Sequence, residues 1–406
     1  MNQKLWNRSA LPAAAGLLLL LSACEYKAPA SPWEQARNAD RVLPVITAVE
    51  PAEAGAASEI TLIGDHFGET ASLNTVYFDG TPAVIKSASV NRITVLRPNV
   101  IGDSVRISVV VDGAVGIARH APYKMVPVVE TFGFFANLDA FLACAADAEE
   151  KLTVAMGSTS FIRLNPDGTQ DLGFSKTSAT ALWTDLAVGP DGMVYAARAN
   201  NILYRLQDDT SVVQTVITLA SRNDRVKSMD FSADGTIYGG GKNSDLIIIR
   251  SPTDAVKSGF YATWDIFCVR VYGNRVYVAA KFTGNGTVPV PAGVWRHAIQ
   301  GDGTLAEGEL VCDWAQGPAP DAVMAALALS ENGVLYIGNN HPDVPVVTFD
   351  TATGSWNTLF YGIIPSPVDQ MSWGPGRYLY AVVNRTKNMG NGGRLLRIDM
   401  GVLEAQ

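Results

Sequence analysis

The sequence predicts an all-β protein in which a small β-sandwich precedes a β-propeller. Residues 43–126 consist of short runs that alternate apolar and polar residues, and residues 127–406 repeat one hairpin pattern roughly every 40–50 residues. The 37 glycines and 21 prolines supply the turns that many short strands require. A chain of 406 residues is long enough for two or three domains with full cores.

Residues 1–23 have the form of a secretory signal peptide. Lys4 and Arg8 precede an apolar run of roughly 13 residues, against the ~20 that span a bilayer as a helix. Residues 21–24 (LSAC) resemble a lipobox, the recognition site of lipoprotein signal peptidase. This resemblance implies cleavage before Cys24 and a lipid thioether on its sulfur. The alternative is an ordinary signal peptide followed by an incidental cysteine.

A lipidated Cys24 predicts attachment to a membrane surface, because several acyl chains on one residue anchor stably whereas one chain binds only marginally. Glu25 follows the cysteine, and no Asp stands there to favour retention at the inner membrane. The sequence therefore predicts an outer-membrane or cell-surface protein. Residues 24–42, the lipidated cysteine and a flexible tether, mix Ala, Pro, Ser and charged residues without a period.

Charge and cysteine content exclude some functions. The net charge of -8, without any Lys/Arg-rich run, argues against a nucleic-acid partner, since phosphate binding favours a basic stripe. Three cysteines remain beside Cys24, so at least one thiol is unpaired, and no CxxC or Cys/His spacing indicates a metal. We expect buried apolar thiols among Cys144, Cys268 and Cys312.

Residues 43–126 read as a sandwich because period-two runs are separated by turn residues every 8–12 positions. Segments 44–51, 60–68, 76–83 and 93–98 resemble the IPT/TIG domain in sequence. The resemblance implies an immunoglobulin-like fold that acts as a rigid spacer or interaction module without chemistry of its own. His66 lies within this motif without partners at ligand spacing, so we interpret it as a turn residue.

The second region repeats a hairpin in which an apolar strand, a turn that contains Gly or Asn, an apolar residue and a tyrosine follow one another, and in three copies the turn is Asp-Gly or Asn-Gly. Such turns supply the positive φ that a tight hairpin needs, and the tyrosine suits a half-buried strand. We count six copies and predict six blades, with the ring closed by the segment near 128–135 pairing with the last strands. The copies are residues 143–155 (degenerate, with Glu149–Lys151 in the turn), 186–195, 229–238, 269–277, 327–336 and 371–380.

These repeats resemble NHL-type propellers and, more loosely, the regucalcin/gluconolactonase and virginiamycin-lyase groups. The resemblance implies an architecture, which proteins of unrelated activity share. Ligands of propellers usually bind at the channel mouth, and aligning the copies on their tyrosines predicts which residues line it. The alternative is that small residues stand in these columns because the axis is crowded. The predicted mouth residues are Trp183, Thr184, Asp185, Lys227, Ser228, Phe267, Asp369 and Gln370, with Cys144, Cys268, Arg225, Met324 and a few alanines beside them.

The sequence gives little indication of a catalytic site at the channel mouth. Gluconolactonase-type propellers hold a divalent ion with Glu, Asn and Asp, whereas here Asp185 and Asp369 are the acids of the columns. Two carboxylates could still bind Ca²⁺ weakly or act as an acid/base pair. His297 and His341 stand in loop-like stretches, and we find no nucleophile elbow, phosphate loop or zinc motif, so no catalytic residue is assigned.

Aromatic residues suggest a second possible ligand-binding surface. Trp264 and Trp314 stand beside Asp265 and Asp313 near blade entries, and an exposed indole stacks well on sugar rings. Tryptophan between blades is commonly buried, so core packing is the alternative. Two long Gly/Asn-rich loops, residues 283–293 and 386–393, are of a kind that is often functional.

Two classes of function follow. In the first, a lipoprotein binds a polysaccharide or a partner protein at the mouth while the sandwich spaces the propeller from the membrane. This arrangement resembles the glycan-acquisition surface proteins of Bacteroidetes-like bacteria in architecture. In the second, the chain is a tethered hydrolase, lactonase or lyase that uses a bound divalent cation.

Overall fold

A computed structural model describes the chain over most of its length. The signal peptide, Cys24, the tether and the loop at residues 386–393 lie outside the described residues, and the predictions made for them stay predictions. In the part that is described, no helix is long and apolar enough to cross a membrane. Two short 3₁₀ helices, Ala71–Leu73 and Trp314–Gln316, accompany the strands. The described ranges are 43–135, 140–157, 159–178, 182–206, 212–383 and 394–406.

The first eight strands form an immunoglobulin-like β-sandwich of two four-stranded antiparallel sheets, in the orders β1-β2-β6-β5 and β4-β3-β7-β8. The alternation noted in the sequence places one face of each strand in a shared core, where Ile60, Leu62, Val76, Phe78 and Ile93 are fully buried. The strands are β1 (Val45–Glu50), β2 (Glu59–Asp65), β3 (Asn74–Phe78), β4 (Thr81–Ala83), β5 (Ile85–Ser89), β6 (Arg92–Leu96), β7 (Gly102–Val111) and β8 (Ile117–Met125).

Six four-stranded antiparallel sheets follow and form the blades of a six-bladed β-propeller. Blades 1 to 5 each take four consecutive strands, and blade 6 takes β30, β31, β32 and β9. The first strand of each blade is the innermost and lines the channel. The strands are β9 (Val129–Thr131), β10 (Phe141–Ala146), β11 (Leu152–Met156), β12 (Ser160–Leu164), β13 (Gln170–Thr177), β14 (Asp185–Val188), β15 (Val194–Ala197), β16 (Ile202–Leu206), β17 (Gln214–Thr218), β18 (Ser228–Phe231), β19 (Ile237–Gly240), β20 (Ile247–Ser251), β21 (Asp254–Lys257), β22 (Trp264–Tyr272), β23 (Arg275–Phe282), β24 (Ala292–Ala298), β25 (Glu309–Asp313), β26 (Met324–Leu329), β27 (Val334–Asn339), β28 (Val346–Asp350), β29 (Ser355–Thr358), β30 (Val368–Trp373), β31 (Tyr378–Val383) and β32 (Arg394–Asp399).

The ring closes as the sequence predicts. Strand β9 pairs with β32, with Thr131 opposite Leu396 and Val129 opposite Ile398, so the segment that enters the propeller completes its last blade. This pairing covers the outer edge of β32, which would otherwise present unpaired backbone groups.

The hairpin tyrosines are more deeply buried than the sequence suggests. All five are at most 9% exposed, because the faces of neighbouring blades pack against each other. Tyr195 packs on Phe231 of the next blade, and Tyr336 on Trp373, at ring-centroid distances of 4.8 and 5.6 Å. Four of the turns have the expected positive φ, at Gly192, Gly235, Gly273 and Gly333. In the degenerate first copy Glu150 adopts it with φ 60°, whereas neither Gly374 nor Gly376 in the turn of the last copy does.

Candidate functional site

Several residues that the repeat alignment placed in one column meet inside the channel. Ser228 Oγ donates to Asp185 Oδ2 at 2.6 Å, and Val269 N donates to Ser228 Oγ at 3.0 Å. On the other side, Gln370 Nε2 donates to the Cys144 carbonyl at 2.9 Å and to Asp185 Oδ1 at 3.3 Å. Residues from blades 1, 2, 3, 4 and 6 thus meet across the channel axis.

At the centre of this group lies Arg270, which the sequence analysis did not identify. Its Nη1 donates to Asp185 Oδ2 at 2.9 Å and its Nη2 to Asp185 Oδ1 at 3.2 Å, a bidentate pair. Nη2 also donates to the Met371 carbonyl at 3.1 Å. We call Asp185, Ser228, Arg270 and Gln370 the channel network. A signal existed in the sequence: Arg270 interrupts the otherwise apolar run 266–272, two residues after Cys268 and on the same strand face.

The channel network is buried, and its charges are compensated. The side chains of Arg270 and Asp185 are 10% and 2% exposed. Burial alone would lower the pKa of Arg270, but the adjacent Asp185 carboxylate keeps this pKa well above its ordinary value. Arg270 is therefore charged, and its ion pair with Asp185 lies buried inside the channel.

This arrangement corrects the cation hypothesis for Asp185. Its two oxygens accept from Arg270, Ser228, Gln370 and the Met229 N–H, so the carboxylate's acceptor positions are occupied. A Ca²⁺ ion would have to displace a buried guanidinium. Across the described ranges, no group of three or more His, Cys, Asp or Glu residues is arranged to hold a metal. The residues present do not fit the divalent-cation site that the enzyme alternative requires.

Above the channel network, where the inner strands begin, lies a cavity of about 650 Å³ that we call the mouth pocket. Its walls include Lys227, Phe267, Met324, Asn340 and Asp369. The Lys227 ammonium lies 5.0 Å from the centre of the Phe267 ring, within cation–π range. Asn340 Oδ1 accepts from Val323 N at 2.7 Å, which fixes the amide at the rim. The pocket combines a cation, a carboxylate, an amide and an apolar floor.

The predicted mouth residues therefore divide into two layers. Lys227, Phe267 and Asp369 line the mouth pocket, whereas Asp185, Ser228 and Gln370 belong to the channel network below it. Thr184 connects the two layers. Its Oγ1 donates to the Lys227 carbonyl at 2.6 Å, and Thr184 and Asp185 both line a narrow recess between the layers.

Trp183 does not line the mouth, and its assignment is corrected. It is 1% exposed and packs between blades 1 and 2, with ring centroids 5.0 Å from Phe161 and 5.2 Å from Tyr204. Trp314 is likewise core rather than platform, since it is 3% exposed and its Nε1 donates to the Ala322 carbonyl at 2.9 Å. Both indoles point into the core because packing between blades buries their large apolar area.

Trp264 is partly exposed, but it lies outside the lining of the mouth pocket. Its ring packs edge-on against Trp295 at 5.0 Å and against Phe282 at 5.3 Å. Its role in ligand binding stays a prediction.

The remaining reactive groups are structural. Cys144, Cys268 and Cys312 are free and buried, and burial raises the pKa of each thiol, that of Cys312 to about 12, so none is a ready nucleophile. His297 is buried and interacts with the Tyr261 hydroxyl at 2.7 Å and the Ala306 carbonyl at 2.9 Å. Burial lowers the pKa of His297, which keeps it neutral.

A second cavity, of about 370 Å³, lies at the opposite end of the channel, and we call it the lower cavity. Asp230, Arg270 and Tyr272 line it, together with Glu404 from the C-terminal segment. That segment is held by backbone hydrogen bonds to the end of β26 and the following turn, from Ala405 N to the Leu329 carbonyl and from Glu331 N to the Leu403 carbonyl, each at 2.9 Å. Sequence reasoning missed this cavity because the segment carries no repeat pattern.

We expect docking of residues 403–405 to weaken as the pH rises. Burial, with a further contribution from Asp230, raises the pKa of Glu404 to about 8, and burial raises that of Asp230 to about 6. Because the folded pKa of Glu404 exceeds its unfolded value, the docked state is favoured at low pH and loses this stabilisation as the pH rises through about 8. Hydrogen exchange of the Ala405 amide at pH 6 and 9, corrected for intrinsic rates, measures the effect.

The Glu404→Gln variant is the control for this prediction, since a neutral amide keeps the shape of the side chain without the titration. In this variant, the protection of the Ala405 amide from hydrogen exchange should change little between pH 6 and 9. Equal pH dependence in both proteins would show that Glu404 does not control docking.

Comparisons with solved structures show weak likenesses over most of the chain. An auxiliary nutrient binding protein from Bacteroides thetaiotaomicron is 12% identical, with a TM-score of 0.48 over 88% of this chain and 97% of that one. One from Bacteroides ovatus is 14% identical, with a TM-score of 0.47 over 90% and 99%. A virginiamycin B lyase from Staphylococcus aureus is 11% identical, with a TM-score of 0.48 over 67% and 98%.

At TM-scores below 0.5, none of these likenesses supports a ligand or an activity for this chain. No curated protein matches the sequence. The IPT/TIG domain family matches residues 44–124, in agreement with the resemblance seen in the sequence. Residues 44–124 are thus an IPT/TIG domain, and the strand pairing of the remaining chain makes it a six-bladed β-propeller.

Proposed function

We propose that this protein is a surface lipoprotein, anchored through Cys24, that binds a glycan or a partner protein in the mouth pocket. The observation that carries the proposal is the mouth pocket itself, a cavity of about 650 Å³ at the end of the channel where six inner strands begin. The IPT/TIG domain acts as a spacer, and the lipid anchor places the protein at the outer membrane or cell surface.

The composition of the mouth pocket supports recognition of a polar ligand. Lys227 and Asp369 offer opposite charges, Asn340 offers an amide, and Phe267 and Met324 offer apolar contact. Hydroxyl-rich ligands need such a mixture, in which a few placed polar groups fix the orientation and the apolar area contributes affinity. The buried Arg270–Asp185 pair is not part of the pocket lining, so the polar groups that can contact a ligand are those of the mouth pocket itself.

A glycan array probed with the protein from residue 25 onward, with and without Ca²⁺, tests the proposal. We expect Asp369→Asn to weaken binding roughly 10- to 100-fold, because a charge-assisted hydrogen bond contributes about 1.5–3 kcal/mol. Asp103→Asn, an exposed position on the sandwich, is the matched control and should bind like the unchanged protein.

The outcomes separate the alternatives. Binding that Asp369→Asn leaves unchanged would move the site away from the mouth. Silence across the array would rule out the glycans tested, and a partner protein would then be sought by cross-linking in the native membrane.

A further inference from the structure

Exposed apolar side chains are concentrated at one end of the immunoglobulin-like sandwich. Of the nine large apolar side chains that the structure describes as exposed in this domain, six lie at the starts of β1, β3 and β8 and in the β5–β6 and β7–β8 turns. Their exposed fractions range from 39% to 66%. We call this set the distal tip: Leu43, Val45, Leu73, Val90, Val115 and Ile117.

Strand pairing brings these positions to the same end of the domain. Val45, the first residue of β1, is paired with Asp65, the last residue of β2. Asp112 N, in the turn after β7, donates to the Leu73 carbonyl at 2.8 Å, just before β3 begins. The starts of β1 and β3 and the ends of β2 and β7 therefore lie together, as antiparallel pairing requires.

The distal tip borders a hollow of about 670 Å³. Leu73 and Val90 line this hollow, together with Ala114 of the β7–β8 turn. Further along that turn, Leu43 lies so close to Gly116 that an added Cβ would meet its side chain at 2.3 Å. The six apolar side chains thus occupy one region of the surface and are not single residues scattered over the domain.

The propeller lies at the other end of the sandwich. Arg97 follows the last residue of β6 and donates to the Val126 carbonyl, in the segment that leads into β9. Glu59, the first residue of β2, accepts from Asn357 Nδ2 of blade 5 at 2.5 Å. The distal tip is therefore the end of the sandwich that points away from the propeller.

The chain enters the sandwich at the distal tip. Leu43 is the first residue that the structure describes, and nineteen residue steps separate it from Cys24. A linker of this length spans about 25 Å on average when it is unstructured. A lipid on Cys24 would therefore hold the distal tip, and not the propeller mouth, close to the membrane.

We propose that the distal tip is a membrane-contact surface whose apolar side chains enter the headgroup region of a phospholipid bilayer. The inference rests on the proposed function, because the lipid on Cys24 brings the tip to that bilayer. Aliphatic side chains that leave water at an interface contribute affinity in proportion to their apolar area. Anchor and tip together fix the orientation of the sandwich, so that it holds the propeller away from the lipid.

The charged residues around the distal tip indicate which phospholipids it fits. Asp65, Glu69 and Asp112 are exposed and line the hollow. Arg119 on β8 is exposed as well, whereas Arg92 at the start of β6 pairs with a glutamate at 2.9 Å. Because one cation does not offset three carboxylates, anionic headgroups would be repelled. The surface therefore fits a zwitterionic phospholipid.

Co-sedimentation of the protein from residue 25 onward with phosphatidylcholine vesicles tests this proposal. This protein lacks Cys24 and can bind vesicles only through its own surface. We expect Val90→Asp/Val115→Asp to weaken binding at least about tenfold, because a carboxylate is costly to remove from water, while circular dichroism shows an unchanged fold. Replacing part of the phosphatidylcholine with phosphatidylglycerol should weaken binding of the unchanged protein.

A matched control introduces the same charges elsewhere on the sandwich. Val84→Asp/Ile101→Asp changes two apolar residues that are 50% and 60% exposed but lie outside the distal tip, and should bind like the unchanged protein. An equal loss in both double variants, or stronger binding to vesicles that contain phosphatidylglycerol, would mean that overall charge governs binding and would overturn the proposal.

Sedimentation equilibrium without vesicles distinguishes a membrane from a second copy of the chain. A dimer that Val90→Asp/Val115→Asp converts to a monomer would assign the distal tip to contact between copies and overturn the proposal. Absence of vesicle binding by the unchanged protein would also overturn it. Neither result would affect the anchor at Cys24 or glycan binding at the mouth, which fractionation of Cys24→Ser and the glycan array measure separately.

Discussion

Replacing Arg270 with methionine is expected to lower the free energy of unfolding by about 3–5 kcal/mol. The substitution leaves the Asp185 carboxylate, whose side chain is 2% exposed, without its counter-ion. It also removes the contacts by which one guanidinium on blade 4 joins blade 2 through Asp185 and blade 6 through the Met371 carbonyl. Chemical denaturation followed by tryptophan fluorescence measures the loss.

Two variants show whether the loss comes from an uncompensated buried charge. The double variant Arg270→Met/Asp185→Leu removes both charges and should recover most of the stability, because apolar residues of similar volume often replace buried ion pairs without cost. Arg296→Met removes an arginine of the same blade that pairs with the exposed Glu309 at 2.8 Å, and should cost less than about 1 kcal/mol. If Arg270→Met cost no more than Arg296→Met, the channel network would not hold the blades together.

Replacing Cys24 with serine is expected to release the protein from the membrane fraction completely. A hydroxyl cannot accept the thioether-linked lipid, and the anchoring energy of the acyl chains, about 0.8 kcal/mol for each buried CH₂ group, is lost with it. Cell fractionation and metabolic labelling with an alkyne fatty acid measure the change.

Cys312→Ala is the control for the anchoring prediction, because this buried thiol lies in blade 4 and should carry no lipid. It should stay in the membrane fraction and keep the label. A Cys24→Ser protein that still sediments with membranes and still carries the label would place the lipid at another residue, and an unchanged protein without the label would favour the ordinary signal peptide.

The architecture could be predicted from the sequence because its determinants are local. Alternation with period two places side chains on opposite faces of a strand, and turns that contain Gly or Asn separate the strands, so each hairpin can be recognised from its own residues. Repetition of the hairpin then implies a ring of blades. Aligning the repeats on their tyrosines also placed the inner strands in the correct register. The residues in one column of that alignment, Cys144, Asp185, Ser228 and Gln370, do lie together across the channel.

The site itself depends on contacts between blades, which no single repeat contains. Trp183 and Trp314 are adjacent to the predicted mouth in sequence, but inter-blade packing turns their rings into the core. Arg270 and Asp185 are 85 residues apart in the chain. Because Arg270 occupies the Asp185 carboxylate, that carboxylate does not serve as a ligand for a metal cation.

By itself, then, the sequence determined an immunoglobulin-like sandwich, six blades, the strand that closes the ring and the end of the channel where Lys227 and Asp369 line a pocket. Tertiary structure alone decided which polar residues face that pocket, which neutralise one another in the channel, and how the segment around Glu404 completes the lower cavity. The physical reason is that strand register is a local property of a periodic chain, whereas burial and charge pairing depend on neighbours supplied by distant blades.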